Sequence, residues 1–262
     1  MQNTPGPEAR ERTQRCVRRL PTPLHSGTLR LLAACTMGLV LVACAPEPEP
    51  PTGWSQVYLT RDGGDVARVR IEGAGTVAVE ADGRNTGTNS RGLLYPDDAD
   101  PGTDARSCAT TTVPHRWVQE GVALRIAPTG HGETGALRAI TVTRNVWGDT
   151  AEIYNVHLWD TTPAMTPSAM SISELVDSAD LSAALDEAPS EGRRLCARIE
   201  GRVLEFKVWL ADDAEPDWGD PLHTHTTEVP ESWVYPGRSG LYFGHLHADD
   251  WLRAAETDLG SG

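Results

Sequence analysis

Residues 195–210 read LCARIEGRVLEFKVWL, and this stretch decides the fold class. Two alternating runs, Leu195–Glu200 and Val203–Leu210, flank Gly201-Arg202, so the segment predicts a β-hairpin. In its second arm Leu204, Phe206 and Val208 share one face, and Glu205, Lys207 and Trp209 share the other. A period of two with one apolar face belongs to a sheet that covers a core on one side. The same signal recurs outward in both directions. Upstream, Val57–Thr60, Val66–Ile71, Thr76–Glu80, Trp117–Ile126, Ala139–Arg144 and Glu152–Trp159 read as strands; downstream, Thr224–Val229 and Gly240–His245 close the series. Residues 82–106, rich in Gly, Asn, Asp and Pro, predict a long loop region. Over 168–188 the spacing of Ile172, Leu175, Val176, Leu181, Ala184 and Leu185 predicts one or two short amphipathic helices between Pro167 and Pro189. Short strands at regular spacing with turn signals predict an all-β sandwich or barrel with a short helical insertion.

The first 53 residues are of another kind. Leu31–Val42 is an apolar run behind Arg30 and more distant arginines, the pattern of a secretory signal. It is too short for a spanning helix, which takes about 20 residues. The run ends in Leu41-Val42-Ala43-Cys44, which resembles the lipobox of bacterial lipoproteins. That resemblance implies cleavage before Cys44, a lipid on its thiol, and an outward-facing domain anchored to the cell membrane. Residues 45–52, APEPEPPT, favour polyproline II and would form a stiff spacer of roughly 25 Å. The expected organisation is a signal peptide and n-region over 1–43, a lipidated cysteine and Pro/Glu stalk over 44–53, and a β-sandwich over 54–262.

Charge follows the same division. Residues 1–44 carry six Arg against two Glu, leaving 17 basic and 35 acidic residues for the remainder. A domain this acidic argues against nucleic acid, whose phosphates must be met by Lys and Arg. It argues equally against lying flat on anionic lipid, so membrane contact is expected through the lipid anchor. The five cysteines fit export. Cys16 and Cys35 leave with the leader and Cys44 is taken by lipid, which leaves Cys108 and Cys196 to form a disulfide in an oxidising location.

The C-terminal third carries a second resemblance. Arg202–Trp209 (RVLEFKVW), Glu215–Trp218 (EPDW) and Pro236–Gly244 (PGRSGLYFG) resemble the C-terminal half of concanavalin A-like, LamG-type jelly-roll sandwiches. The resemblance covers about fifty residues, and it implies a jelly-roll-like sandwich. Members of that group bind glycans or proteins, or hydrolyse sugars, so the fold does not choose among these activities.

A retaining glycosidase needs two carboxyl groups about 5–5.5 Å apart, as an acid-rich strand of Glu-x-Asp-x-x-Glu type would supply. No such strand occurs; Glu228/Glu231, Asp212/Asp213 and Asp249/Asp250 fall in predicted loops. No Gly-x-Ser-x-Gly or His-Glu-x-x-His motif is present. His223/His225 and His245/His247 each place two imidazoles on one strand face, and adjacent strands would let the four meet a transition metal. The other reading is four solvated loop residues. Asp97, Asp98, Asp100 and Asp104 form an acidic loop with oxygen ligands suited to calcium, or simply a solvated one. Finally, Trp209 lies in register with Glu205 and Lys207, and Trp159 with His157 and Asn155. An indole among polar neighbours on a sheet face can stack a sugar ring while the polar groups bind hydroxyls. Burial of both rings under a loop or under the helical insertion is the alternative. Trp159, Trp209, Asn155, His157 and Glu205 are thus the candidate ligand-binding residues. The expected function is non-catalytic binding at the cell surface, carbohydrate ahead of protein. A glycan hydrolase on the same fold and a structural or adhesive envelope lipoprotein are the alternatives.

Overall fold

The alternation in residues 195–210 does what it predicts. In a computed structural model, β10 (Arg193–Glu200) and β11 (Val203–Leu210) pair antiparallel across Gly201-Arg202. Gly201 sits at φ +55°, a left-handed conformation that a residue without Cβ adopts without steric cost. The structure describes residues 51–72, 75–128, 137–147, 152–161, 172–185 and 192–261, all inside the compact unit Pro46–Gly262. Cys44, the signal segment and the stalk up to residue 50 lie outside the described residues.

Leu204, Phe206 and Val208 are fully buried between two antiparallel seven-stranded sheets, which pack as a jelly-roll-like sandwich. The back sheet runs β12 (Thr224–Glu228), β11, β10, β5 (Ala105–Thr112), β14 (Trp251–Ser261), β3 (Thr76–Ala81), β2 (Ala67–Glu72). The front sheet runs β1 (Trp54–Thr60), β4 (Arg91–Pro96), β13 (Arg238–Gly244), β6 (Gln119–Pro128), β7 (Leu137–Arg144), β8 (Ile153–Asp160), β9 (Ile172–Asp180). Leu94, Leu241, Phe243, Val122, Val142, Val156 and Leu158 of the front sheet meet Val77, Val79, Ala109, Leu195 and Ala197 of the back sheet in one core. A smaller apolar cluster, including Leu93, Tyr95, Ala123, Ala139, Trp159 and Tyr242, includes the neighbours of these core residues along the strands and lies on the opposite face of the front sheet.

Two expectations are corrected. The segment 82–106 is not all loop, because it contains β4, a central strand paired with both β1 and β13. With Leu93 and Leu94 buried on opposite faces, β4 shows no alternation to read. The described part of 168–188 is not helical either: residues 172–180 form β9, the edge strand beside β8. The pairing shifts from Asp177 opposite Val156 to Leu175 opposite His157, so Val176 is an extra residue. This bulge breaks the period of two and puts Leu175 and Val176 next to each other, which imitates a helical spacing. Leu181, Ala184 and Leu185 then form a turn, with Leu181 and Leu185 anchored in the core. Among the described residues there is no α-helix, and Glu231–Trp233 form a 3-10 turn.

Charges buried within the domain are mostly paired. Arg144 donates to both oxygens of Glu120 (2.5 and 3.0 Å) and to the carbonyls of Arg116 and Val118. Burial would lower the Arg144 pKa, but the Glu120 carboxylate outweighs it and the pKa is raised. Arg125, with no exposed surface, donates instead to the carbonyls of Thr103, Trp233 and Gly201 and so ties three connecting segments together.

Candidate functional site: a cleft on the outer face of the front sheet

Because Tyr154, Val156 and Leu158 point into the core, their neighbours Asn155, His157 and Trp159 point out of the front sheet. Strand register then builds a row across that face. Thr143 stands opposite Asn155, Gly121 opposite Thr143, and Tyr242 opposite Gly121. Arg91 starts β4, Trp147 follows β7 and His245 follows β13. Together they enclose a cleft of about 320 Å³, also lined by Thr60, Asn89, Gln119, Asn145 and Ser173. Trp147, which lines the cleft, projects from it and is 68% exposed.

Hydrogen bonds hold the lining in place. The Tyr242 hydroxyl donates to Gln119 Oε1 (2.6 Å), and Gln119 Nε2 donates to the Arg144 carbonyl (2.9 Å). Trp159 Nε1 donates to Thr141 Oγ1 at 2.9 Å, and Ser178 Oγ donates to Asn155 Oδ1 at 2.8 Å. The segment leading into Arg91 is pinned from below by Asp65, which accepts from the backbone of Thr86 and Gly87 and from Ser90 Oγ. Burial works to raise the Asp65 pKa, but these donors outweigh it and hold the pKa below the usual carboxylate range. Asp62 accepts from the Asn89 backbone N–H on the same segment.

Arg91 donates to Thr60 Oγ1 (3.3 Å), to the Asn89 carbonyl (3.2 Å) and to His245 Nε2 (3.1 Å). A guanidinium only donates, so His245 Nε2 must accept and its proton sits on Nδ1, next to the carbonyls of Thr88 and Gly87. Burial first, and then the charge of Arg91, push the pKa values of His245 and His157 down to about 4. Both imidazoles are therefore neutral at pH 7. His245 also sits at φ +56°, a left-handed conformation uncommon for a residue other than glycine. Its ring packs edge-on against Trp147 at 5.5 Å between centroids. Among the described lining residues there is no carboxylate, so Arg91 is the one formal charge in the cleft.

The structure brings Asn155, His157 and Trp159 together in this cleft and separates them from Trp209 and Glu205, which lie on the back sheet. Trp209 is 2% exposed, so it cannot stack a sugar. It covers the Cys108–Cys196 disulfide, whose Cα atoms stand 4.1 Å apart across β5 and β10. Lys207 fills the space between the indoles of Trp209 and Trp218, at 5.3 and 4.5 Å from their centroids, and donates to Pro216 O and Glu215. Glu205 accepts from Arg198, which stacks on Trp218 at 4.2 Å. Trp159 is 5% exposed and forms the floor of the cleft rather than its rim.

The four histidines do not converge, because β12 is the far edge of the back sheet while His245 and His247 follow a central strand of the front sheet. His223 pairs with the Val208 carbonyl and His225 with Asp177. Asp97, Asp98, Asp100 and Asp104 are exposed and do not gather; Asp97 accepts from Ser55 and Asp104 from the Gly201 N–H. Among the described residues no group of three or more His, Cys, Asp or Glu side chains could hold a metal ion.

Sequence reasoning missed Arg91, Gln119, Trp147 and Tyr242. Arg91 was hidden in the unrecognised β4, and Tyr242 inside an apolar run that reads as core. Trp147, a large apolar residue between two strand signals, was the one cue available.

No protein-family model matches the chain, and no curated protein matches it by sequence. The chain is similar to several solved structures at low identity. A glycoside hydrolase family 16 endo-glucanase from Bacteroides ovatus is 11% identical over 79% of this chain and 94% of its own, with a TM-score of 0.47. The carbohydrate-binding module CBM66 from Bacillus subtilis is 10% identical over 80% and 96%, with a TM-score of 0.45. The exoplasmic/lumenal domain of VIP36, in a form bound to calcium and Man3GlcNAc, is 10% identical over 77% and 83%, with a TM-score of 0.41.

Proposed function

We propose that the chain is a lipid-anchored cell-surface protein that binds carbohydrate, without hydrolysing it, in the front-sheet cleft. One observation carries the reading: the cleft is lined by side-chain amides and hydroxyls beside a projecting indole, and its described lining holds no carboxylate. Amides and hydroxyls match the donors and acceptors of a sugar ring, and an exposed Trp supplies the flat apolar face on which a ring stacks. Hydrolysis by the usual two-carboxylate route lacks its acid and its base in this lining. The anchor reading rests on the lipobox-like end at Cys44 and the Pro/Glu stalk that follows.

The test is glycan binding by titration calorimetry with the intact chain and its Trp147→Ala variant. Trp147 is exposed, so its removal should leave stability within about 0.5 kcal/mol. It should weaken binding by tenfold or more, about 1.4 kcal/mol. Equal affinity in both proteins would remove the cleft from the account. Release of reducing ends from a bound glycan would turn the reading to the hydrolase. Cys44→Ala should shift the protein from the membrane fraction to the soluble one.

A further inference from the structure

Building on the carbohydrate reading of the cleft, we infer that its ligand is an acidic sugar whose carboxylate or sulfate group docks on Arg91. Other part-buried cations on this molecule show why Arg91 stands out. Arg144 faces Glu120, Arg193 faces Glu152 at 2.8 Å, Arg198 faces Glu205 at 2.6 Å and Lys207 faces Glu215 at 2.7 Å. Arg125 has no carboxylate within bonding distance but is caged by three carbonyls and opens on no cleft. Arg91 is different on both counts. Its partners are the hydroxyls of Thr60 and Tyr242, a carbonyl and a neutral imidazole, and it lines the cleft.

A cation withdrawn from water without a counter-ion is unfavourable, and a bound anion supplies that counter-ion. The planar fork of Arg suits a two-oxygen group, which favours carboxylate or sulfate over a neutral hydroxyl. The cleft holds its positive charge within a chain of net charge −14, so an anionic ligand meets attraction at this point and repulsion over most of the surface. His245 is tied into the same arrangement. Its Nε2 accepts from Arg91, and its left-handed backbone is held by the N–H bond to the Ser90 carbonyl (3.0 Å), so the guanidinium is positioned before a ligand arrives.

The experiment compares three oligosaccharide probes of similar length by calorimetry with the intact chain: an oligogalacturonate, a sulfated galactan fragment and a neutral mixed-linkage glucan. At least one acidic probe should bind tenfold or more tighter than the neutral one, and added salt should weaken only the acidic binding. The preferred acidic probe identifies the group that docks. Arg91→Gln should abolish the preference, bringing the acidic probes to the affinity of the neutral one or below it. Arg91→Lys keeps the charge without the fork and should retain part of the preference; a thermal melt of each variant establishes that it is folded. Equal or tighter binding of the neutral glucan by the unaltered protein would overturn the inference and leave the carbohydrate reading standing. Failure to bind any of the three probes would overturn both.

Discussion

The two outer faces of this sandwich are made of the same materials and put to opposite uses. Each presents tryptophans, arginine and alternating polar residues. On the back sheet, the segment after β11 folds over the strands, Trp209 and Trp218 close on Lys207, and the disulfide lies beneath. The basic groups there, Arg194, Arg198 and Lys207, each have a carboxylate partner. On the front sheet Trp147 projects, the cleft stays open and Arg91 has only neutral partners. An indole beside a cation is therefore not by itself a binding site. What separates the two faces is whether the protein's own chain covers the indole and sets a carboxylate against the cation.

That contrast can be broken in four ways. The largest effect belongs to the back face. Replacing Cys108 and Cys196 together by Ser opens a crosslink with a sequence separation of 88, which should lower stability by up to about 4–5 kcal/mol. The midpoint of urea unfolding measures this, and glycan affinity below the midpoint should be unchanged. Next, Arg144→Met leaves Glu120 buried without a partner and should cost about 3–5 kcal/mol. Arg91→Gln, which removes a cation that no carboxylate balances, should move the melting temperature far less.

The third effect is a pH dependence. His157 and His245 titrate near 4 in the folded chain and near 6.5 when unfolded, so between those values the unfolded state binds more protons. Their contribution to stability is complete above about pH 6.5, falls as the pH drops, and reaches its full loss near pH 4. The loss is roughly 3 kcal/mol for each imidazole. Denaturation curves of the intact chain and of His157→Gln should differ across that window, with the variant showing the shallower dependence. The smallest effect tests the faces against each other. Trp218→Ala should lower stability by about 1–2 kcal/mol through lost contacts with Arg198 and Lys207, without changing glycan affinity. Trp147→Ala should do the reverse.

The sequence carried the sandwich further than the site. Alternation was legible wherever one strand face is wet, as in β8 and β11, and it placed Asn155, His157 and Trp159 on a common outward face. It failed at β4, where both faces are covered, and at β9, where the bulge at Val176 shifts the phase. Losing β4 meant losing Arg91. Trp209 was misassigned for a different reason: alternation shows that a side chain leaves the core, not whether another segment covers it afterwards. Cys108 and Cys196, the pair expected to form a disulfide, are joined across β5 and β10.

The disulfide has a mechanical consequence as well. It joins β5 to β10, and the chain between the two cysteines contains β6, β7, β8 and β9. Tension applied between the two ends of the polypeptide would pass from Cys108 directly to Cys196 and bypass those four strands. Gln119, Thr143, Trp147, Asn155, His157 and Trp159 all belong to the bypassed stretch. A domain pulled between an anchor at its N-terminal end and a load at its C-terminal end would keep that side of its cleft out of the line of force.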